Sequence, residues 1–267
     1  MLNSGCSQHM HIVDLRRKLL AIVAASVMVL PVFGHSEAKD DPEDQPTGTS
    51  AEIINRYLQA TQNHEDALRG ASMQVDISAS IPELKKQGRL HALRKISRVG
   101  QVTYRVLGFQ GDNSVKSDVI ARYLQAEQQG QGDQSFAITP QNYKFKFKGR
   151  KELNSDDVYV FQLSPRKKKV GLFKGELWID GKTGLPVQEK GKLVKNPSIW
   201  FKKVEFERDF KIQNGASIPA HMSSTIDVRL IGKVELNIDY SDFVQNADSD
   251  DTSQAAVSVA LAAAAAK

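Results

Sequence analysis

The chain alternates between two hydrophobic periods. Ile53, Ile54, Tyr57, Leu58 and then Ala60 or Thr61 recur at helical spacing. Thr49 and Glu52 form a capping box in front of them, and Gly70 is a stop signal behind them. The pattern predicts a helix over about 50–69. After Gly70 the period falls to two. Met73, Val75, Ile77 and Ala79 alternate with Gln74, Asp76 and Ser78, as a half-buried strand requires. The stretches GRLHALRKIS (88–97) and QVTYRVLGF (101–109) predict two more strands. Neighbouring strands of this kind suit an antiparallel sheet with one wet face.

Helical spacing returns in SVKSDVIARYLQAEQQG (114–130). Val115, Val119 and Tyr123 stand four apart, with Ile120 and Leu124 beside them. This predicts an amphipathic helix inserted between strands and closed by a Gln/Gly-rich turn. From 135 to 243 alternation resumes in seven segments, each break carrying Asp, Asn, Gly or Pro. Short strands at nearly even spacing imply a meander or an open barrel. The hairpin KGELWIDGKTGLPVQEKGK (174–192) turns at Asp180–Gly184 and restarts at Pro186. One of its faces reads Gly171, Phe173, Gly175, Leu177 and Ile179, apolar and interrupted by glycine, which predicts a strongly curved sheet with an apolar concave side.

The N-terminal pattern adds a compartment. Arg16, Arg17 and Lys18 precede an apolar run from Leu19 to Phe33, and Ser36-Glu37-Ala38 offers small residues to a signal peptidase. A membrane anchor needs roughly 20 apolar residues, and this run is shorter. The expectation is a signal peptide over 1–38, cut after Ala38, with Met1 or Met10 as the start. A flexible acidic leader over 39–48, one domain over 49–243 and a disordered Ala-rich tail over 244–267 follow. Cys6 lies before the apolar run, so the exported chain has no cysteine and must be stabilised by its core. The expected location is the periplasm, and the expected state is a monomer.

Composition narrows the function. Lys and Arg total 36 against 31 Asp and Glu, a mild and dispersed excess that does not form the basic footprint of a nucleic-acid binder. YKFKFK (143–148) puts three aromatic residues on one face and three lysines on the other, and SPRKKK (164–169) is a charged loop between strands. Each reads first as a solvated surface and second as a contact for an anionic membrane or partner. His64, His91 and His221 have no metal-ligand spacing, so no cofactor and no metal site is expected. No nucleophile elbow, phosphate loop or C-x-x-C is present, and no acid/base pair is readable. The expected class is not an enzyme.

The signal, the first helix, the strand meander and the hairpin ELWIDGKTGLPVQ together resemble the LolA/LolB-like superfamily of exported lipid and lipoprotein carriers. GRLHALRK is similar to that family's early G-x-L-x-x-x-R strand. The resemblance covers 50–243. It implies an α+β fold in which a curved antiparallel sheet forms an unclosed β-barrel with helices packed on its concave face. It also implies acyl chains of a lipid or lipoprotein as ligand, and an envelope membrane protein as a possible partner. The family's lid-holding arginine falls on Arg94. Lys95 stands where a proline commonly follows, and the helix at 114–128 replaces the family's usual strand pair. The expected ligand-binding residues are Arg94, Val119, Ile120, Tyr123, Leu124, Phe173, Leu177 and Ile179. A carrier or sensor is the first reading. A cavity-less module for protein partners is the second, and an envelope hydrolase the third.

Overall fold

The computed structural model describes residues 48–130, 134–153 and 156–245. The expected signal peptide, and all but the margins of the expected leader and tail, lie outside the described residues. Helix α1 spans Gly48–Ala67. Strands β1 (Ser72–Ile81), β2 (Lys86–Ile96) and β3 (Val102–Gly111) follow. The helical insert comes next: an α turn at Asn113–Val115, a π turn at Lys116–Ile120 and helix α2 at Ala121–Gly130. Asp112 caps its start by accepting from the Ser114 amide at 2.9 Å. Seven strands complete the chain: β4 (Tyr143–Leu153), β5 (Asp156–Pro165), β6 (Phe173–Asp180), β7 (Pro186–Leu193), β8 (Phe201–Gln213), β9 (Ala216–Val228) and β10 (Gly232–Val244).

All ten strands belong to one sheet, in the order β3-β2-β1-β10-β9-β8-β7-β6-β5-β4. Every pairing is antiparallel. The order is a meander joined through β1 and β10 and left open between β3 and β4. The helical insert is the connection across that opening. The fold is therefore the expected unclosed half-barrel, with helices on its concave side.

Curvature has local causes. Register shifts occur between β2 and β3 at His91/Ala92, between β4 and β5 at Phe147/Gly149, and between β6 and β7 at Trp178/Ile179. Such irregularities bend a strand. Gly175 and Gly191 face each other across β6 and β7. A Cβ on Gly175 would lie 1.9 Å from the Lys190 carbonyl oxygen, so only glycine allows this approach. The β6–β7 turn is set by Asp180, whose carboxylate accepts from the Thr183 amide and hydroxyl, each at 2.7 Å. Gly184 closes the turn at φ 77°.

Candidate functional site

Two helices divide the concave face. On one side, Ile53, Ile54 and Tyr57 of α1 pack on Tyr143, Phe145, Phe161, Leu163, Phe173, Leu177 and Ile179. Arg56 Nη1 ties α1 to the β6–β7 turn by donating to the Gly181 carbonyl at 2.9 Å. The Ser217 amide donates to His64 Nδ1 at 3.2 Å and holds the helix's far end. Burial keeps His64 below its ordinary pKa, which suits a neutral ring accepting that bond. On the other side, Val115, Ile120 and Leu124 pack on Val75, Ile77, Ala79, Leu90, Ala92, Leu236 and Ile238. The two sets form separate apolar cores.

The seam between the cores runs over β7 and β8. No residue of β8 is fully buried, and in β7 only Pro186 is. Val204, Phe206 and Ile226 lie along this seam as half-buried apolar side chains. Val204 pairs with Ile226, and Phe206 pairs with Ser224, so the floor is continuous from β8 to β9. Phe206 meets the ring of Phe173 edge-on at 4.9 Å, which marks where the α1 core ends.

Polar groups stand where the seam meets the helical insert. Arg208 pairs across strands with Met222 on β9 and Glu189 on β7, and Glu189 pairs with Leu177 on β6. Directly opposed residues share a face, so Arg208 and Glu189 point to the concave side with Leu177. Arg208 Nη1 lies 3.4 Å from Glu189 Oε2, with side-chain exposures of 46% and 12%. Its guanidinium sits 4.9 Å from the centre of the Phe206 ring. Burial pushes the Glu189 carboxyl above its ordinary range, and Arg208 opposes that shift.

Arg94 ties the insert to β2. Its Nη2 donates to Glu127 Oε1 at 3.1 Å, and its Nε donates to the Tyr104 hydroxyl at 3.1 Å. Tyr104 in turn donates a short hydrogen bond to the other Glu127 oxygen. Burial first, and the Glu127 charge second, push the Tyr104 hydroxyl far above its ordinary range. From the same helical face, the Tyr123 hydroxyl contacts Met222 Sδ at 3.4 Å, reaching β9 beside Arg208.

The residues singled out from sequence fall into two groups on opposite sides of the seam. Arg94, Val119, Ile120, Tyr123 and Leu124 hold the insert to its half of the sheet. Phe173, Leu177 and Ile179 lie beneath α1. Sequence reasoning missed Glu127, Tyr104, Glu189, Arg208 and Phe206. A signal for two of them was present. Glu127 is an acid on the apolar stripe of Ile120 and Leu124, and Arg208 interrupts the apolar row of Val204, Phe206 and Phe210. Register alone could reveal the pairing with Glu189.

Other features carry less. A cleft of about 130 Å³ opens between α1 and β4, lined by Ala51, Ile54, Asn55, Pro140, Tyr143, Phe145 and Arg166. Small-molecule sites begin at roughly 300 Å³. In the YKFKFK strand Tyr143 and Phe145 are buried, and Lys146 and Lys148 are exposed. Two histidine–aspartate pairs, His91 with Asp76 at 3.4 Å and His221 with Asp239 at 2.7 Å, are cross-strand contacts of partly exposed side chains. Among the described residues no group of three or more side chains is arranged to hold a metal ion. None of the described helices is long and apolar enough to cross a membrane.

No family model matches the chain, and no curated protein matches it. A LolA superfamily protein from Nitrosomonas europaea is 13% identical, with 75% of this chain and 94% of that one covered and a TM-score of 0.33. An outer membrane lipoprotein-sorting protein domain from Vibrio parahaemolyticus is 12% identical, with 75% and 95% covered and a TM-score of 0.38. Pseudomonas aeruginosa MucB, solved with MucA, is 12% identical, with 73% and 100% covered and a TM-score of 0.27. Each of these likenesses is at 12–13% identity and a TM-score of 0.27–0.38.

Proposed function

We infer that this chain is an exported periplasmic protein that takes acyl chains of a lipid or lipoprotein into the seam of its half-barrel, as a carrier or sensor. The observation that carries this reading is the middle of the sheet. Each flank is filled by its own helix, whereas β8 contributes no buried residue and offers Val204 and Phe206 half-covered. An apolar floor left half-covered between two packed flanks gains from an apolar guest, at about 0.8 kcal/mol per methylene buried. The helical insert is the movable wall. It is held by polar links through Arg94, Glu127 and Tyr104, and it can widen the seam when they part. A ligand shifts that equilibrium only by its differential affinity for the wider form.

The first test is a titration with a fluorescent long-chain fatty acid. Saturable binding is expected, with at least about tenfold loss in Phe206→Asp, since a desolvated carboxylate opposes an apolar guest. A folded sample that shows no saturable binding, or an Asp variant that binds as well as the parent, contradicts the reading. A module for protein partners is the alternative. It draws on the two filled flanks and predicts no lipid at all.

A further inference from the structure

The geometry points to Arg208 as the anchor for an anionic group, a carboxylate or phosphate, at the head of the amphiphile whose chain lies along Val204, Phe206 and Ile226. This rests on the acyl-binding reading and names the chemical class of its ligand. A guanidinium carries five N–H donors. Arg208 donates one hydrogen bond, to Glu189, at 3.4 Å. Charge-assisted contacts of this kind usually close to about 2.7–2.9 Å, so the pair is loose. The side chain is 46% exposed although both cross-strand neighbours, Glu189 and Met222, are largely covered. Among the described residues its remaining donors have no hydrogen-bond partner.

The surroundings restrict what can satisfy those donors. Phe206 lies under the guanidinium plane, Met222 beside it, and the Tyr123 hydroxyl is already directed at Met222. Glu189 offers the nearest carboxylate, and burial already works against its charge. A ligand anion placed over Arg208 would face a fixed fork suited to bidentate contact, with apolar floor leading away from it. Of the other cations on this face, Arg94 is committed to Glu127 and Tyr104 and is only 12% exposed, and Lys86, opposite Ile81, is committed to Ser114 and Asp112 of the insert. Of these three, Arg208 is the cation with donors left for a guest.

The test compares cis-parinaric acid with its methyl ester, which has the same chain without the charge, at about pH 8, where carboxylates are ionised. The parent protein is expected to bind the acid about tenfold more tightly than the ester. Arg208→Gln should remove that preference, so that acid and ester bind alike, and its circular-dichroism spectrum should match that of the parent. Arg208→Lys should keep part of the preference. Glu189→Gln should keep or increase it, because the competing carboxylate is gone. Should Arg208→Gln fail to fold with Glu189 left unpaired, the double variant Arg208→Gln/Glu189→Gln removes both charges and should bind acid and ester equally. Equal binding of acid and ester by the parent, or an undiminished preference in either Arg208→Gln variant, overturns the anchor while the acyl-binding reading stands. If neither probe binds the parent, the acyl-binding reading falls, and the anchor falls with it.

Discussion

Arg94 and Arg208 occupy the same concave face and do opposite things. Arg94 is largely buried and shares its charge with Glu127 and Tyr104. Removing it strands a partly buried carboxylate, so Arg94→Leu should cost about 2–3 kcal/mol, less than the loss of a fully buried partner. Thermal unfolding of Arg94→Leu, Glu127→Gln and the double variant measures this, and a coupling near zero would make the contact incidental. The Arg208 pair should behave asymmetrically. Arg208→Gln leaves Glu189 desolvated and should lose about 1–2 kcal/mol, a value between exposed and buried pairs because Arg208 is half-exposed. Glu189→Gln should cost little or stabilise, since burial already disfavours its charge.

His64 gives a pH dependence with a definite sign. Its folded-state pKa lies below the ordinary value of 6.5, so the unfolded chain binds more protons in the window between the two. Stability from His64 is present above 6.5 and is lost as pH falls through the lowered value. The proton occupies the nitrogen that accepts the Ser217 amide bond, so the end of α1 near His64 should loosen first. Hydrogen exchange of residues 58–67 across that window checks this. Equal exchange in His64→Gln and the parent at every pH would remove His64 as the cause.

At the level of elements, the two helices are independent covers over one sheet. Leu124→Asp puts a charge into the core beneath the insert and should raise exchange over 113–130 while leaving α1 protected. Leu177→Ala should do the reverse, at about 2–5 kcal/mol. Loss of protection over both helices in either variant would show that the cores are coupled. Gly175→Ala has no room against the Lys190 carbonyl and should cost at least the roughly 1–3 kcal/mol of overpacking.

Elements were legible in the sequence because burial imposed its period on them. The expected helix over 50–69 is α1 at Gly48–Ala67, and the expected insert over 114–130 matches the described helical turns within a residue. The glycine-punctuated face of Phe173, Leu177 and Ile179 does point inward, but what covers it was not legible. Ile53, Ile54 and Tyr57 supply that cover from a helix more than a hundred residues earlier, and no local pattern encodes such a contact. Arg208 and Glu189 were hidden for the same reason. Each is one charged residue in an alternating strand, and only the register of β7 against β8 brings them together.

Taken whole, the molecule is a half-barrel whose flanks are packed by helices and whose middle strand, β8, carries no fully buried residue. An acyl chain lying on that middle strand is reported directly by a tryptophan placed there. The native tryptophans lie elsewhere. Trp178 stands between Lys151 and Lys190, at 4.5 and 4.8 Å, on the face opposite Leu177, and Trp200 lies in the loop before β8. Phe206→Trp puts an indole on the seam floor. A fatty acid brominated along its chain should quench that added fluorescence saturably and leave the native pair nearly untouched. Quenching of Phe206→Trp no greater than that of the parent protein, in a folded sample, would mean that no acyl chain enters the seam.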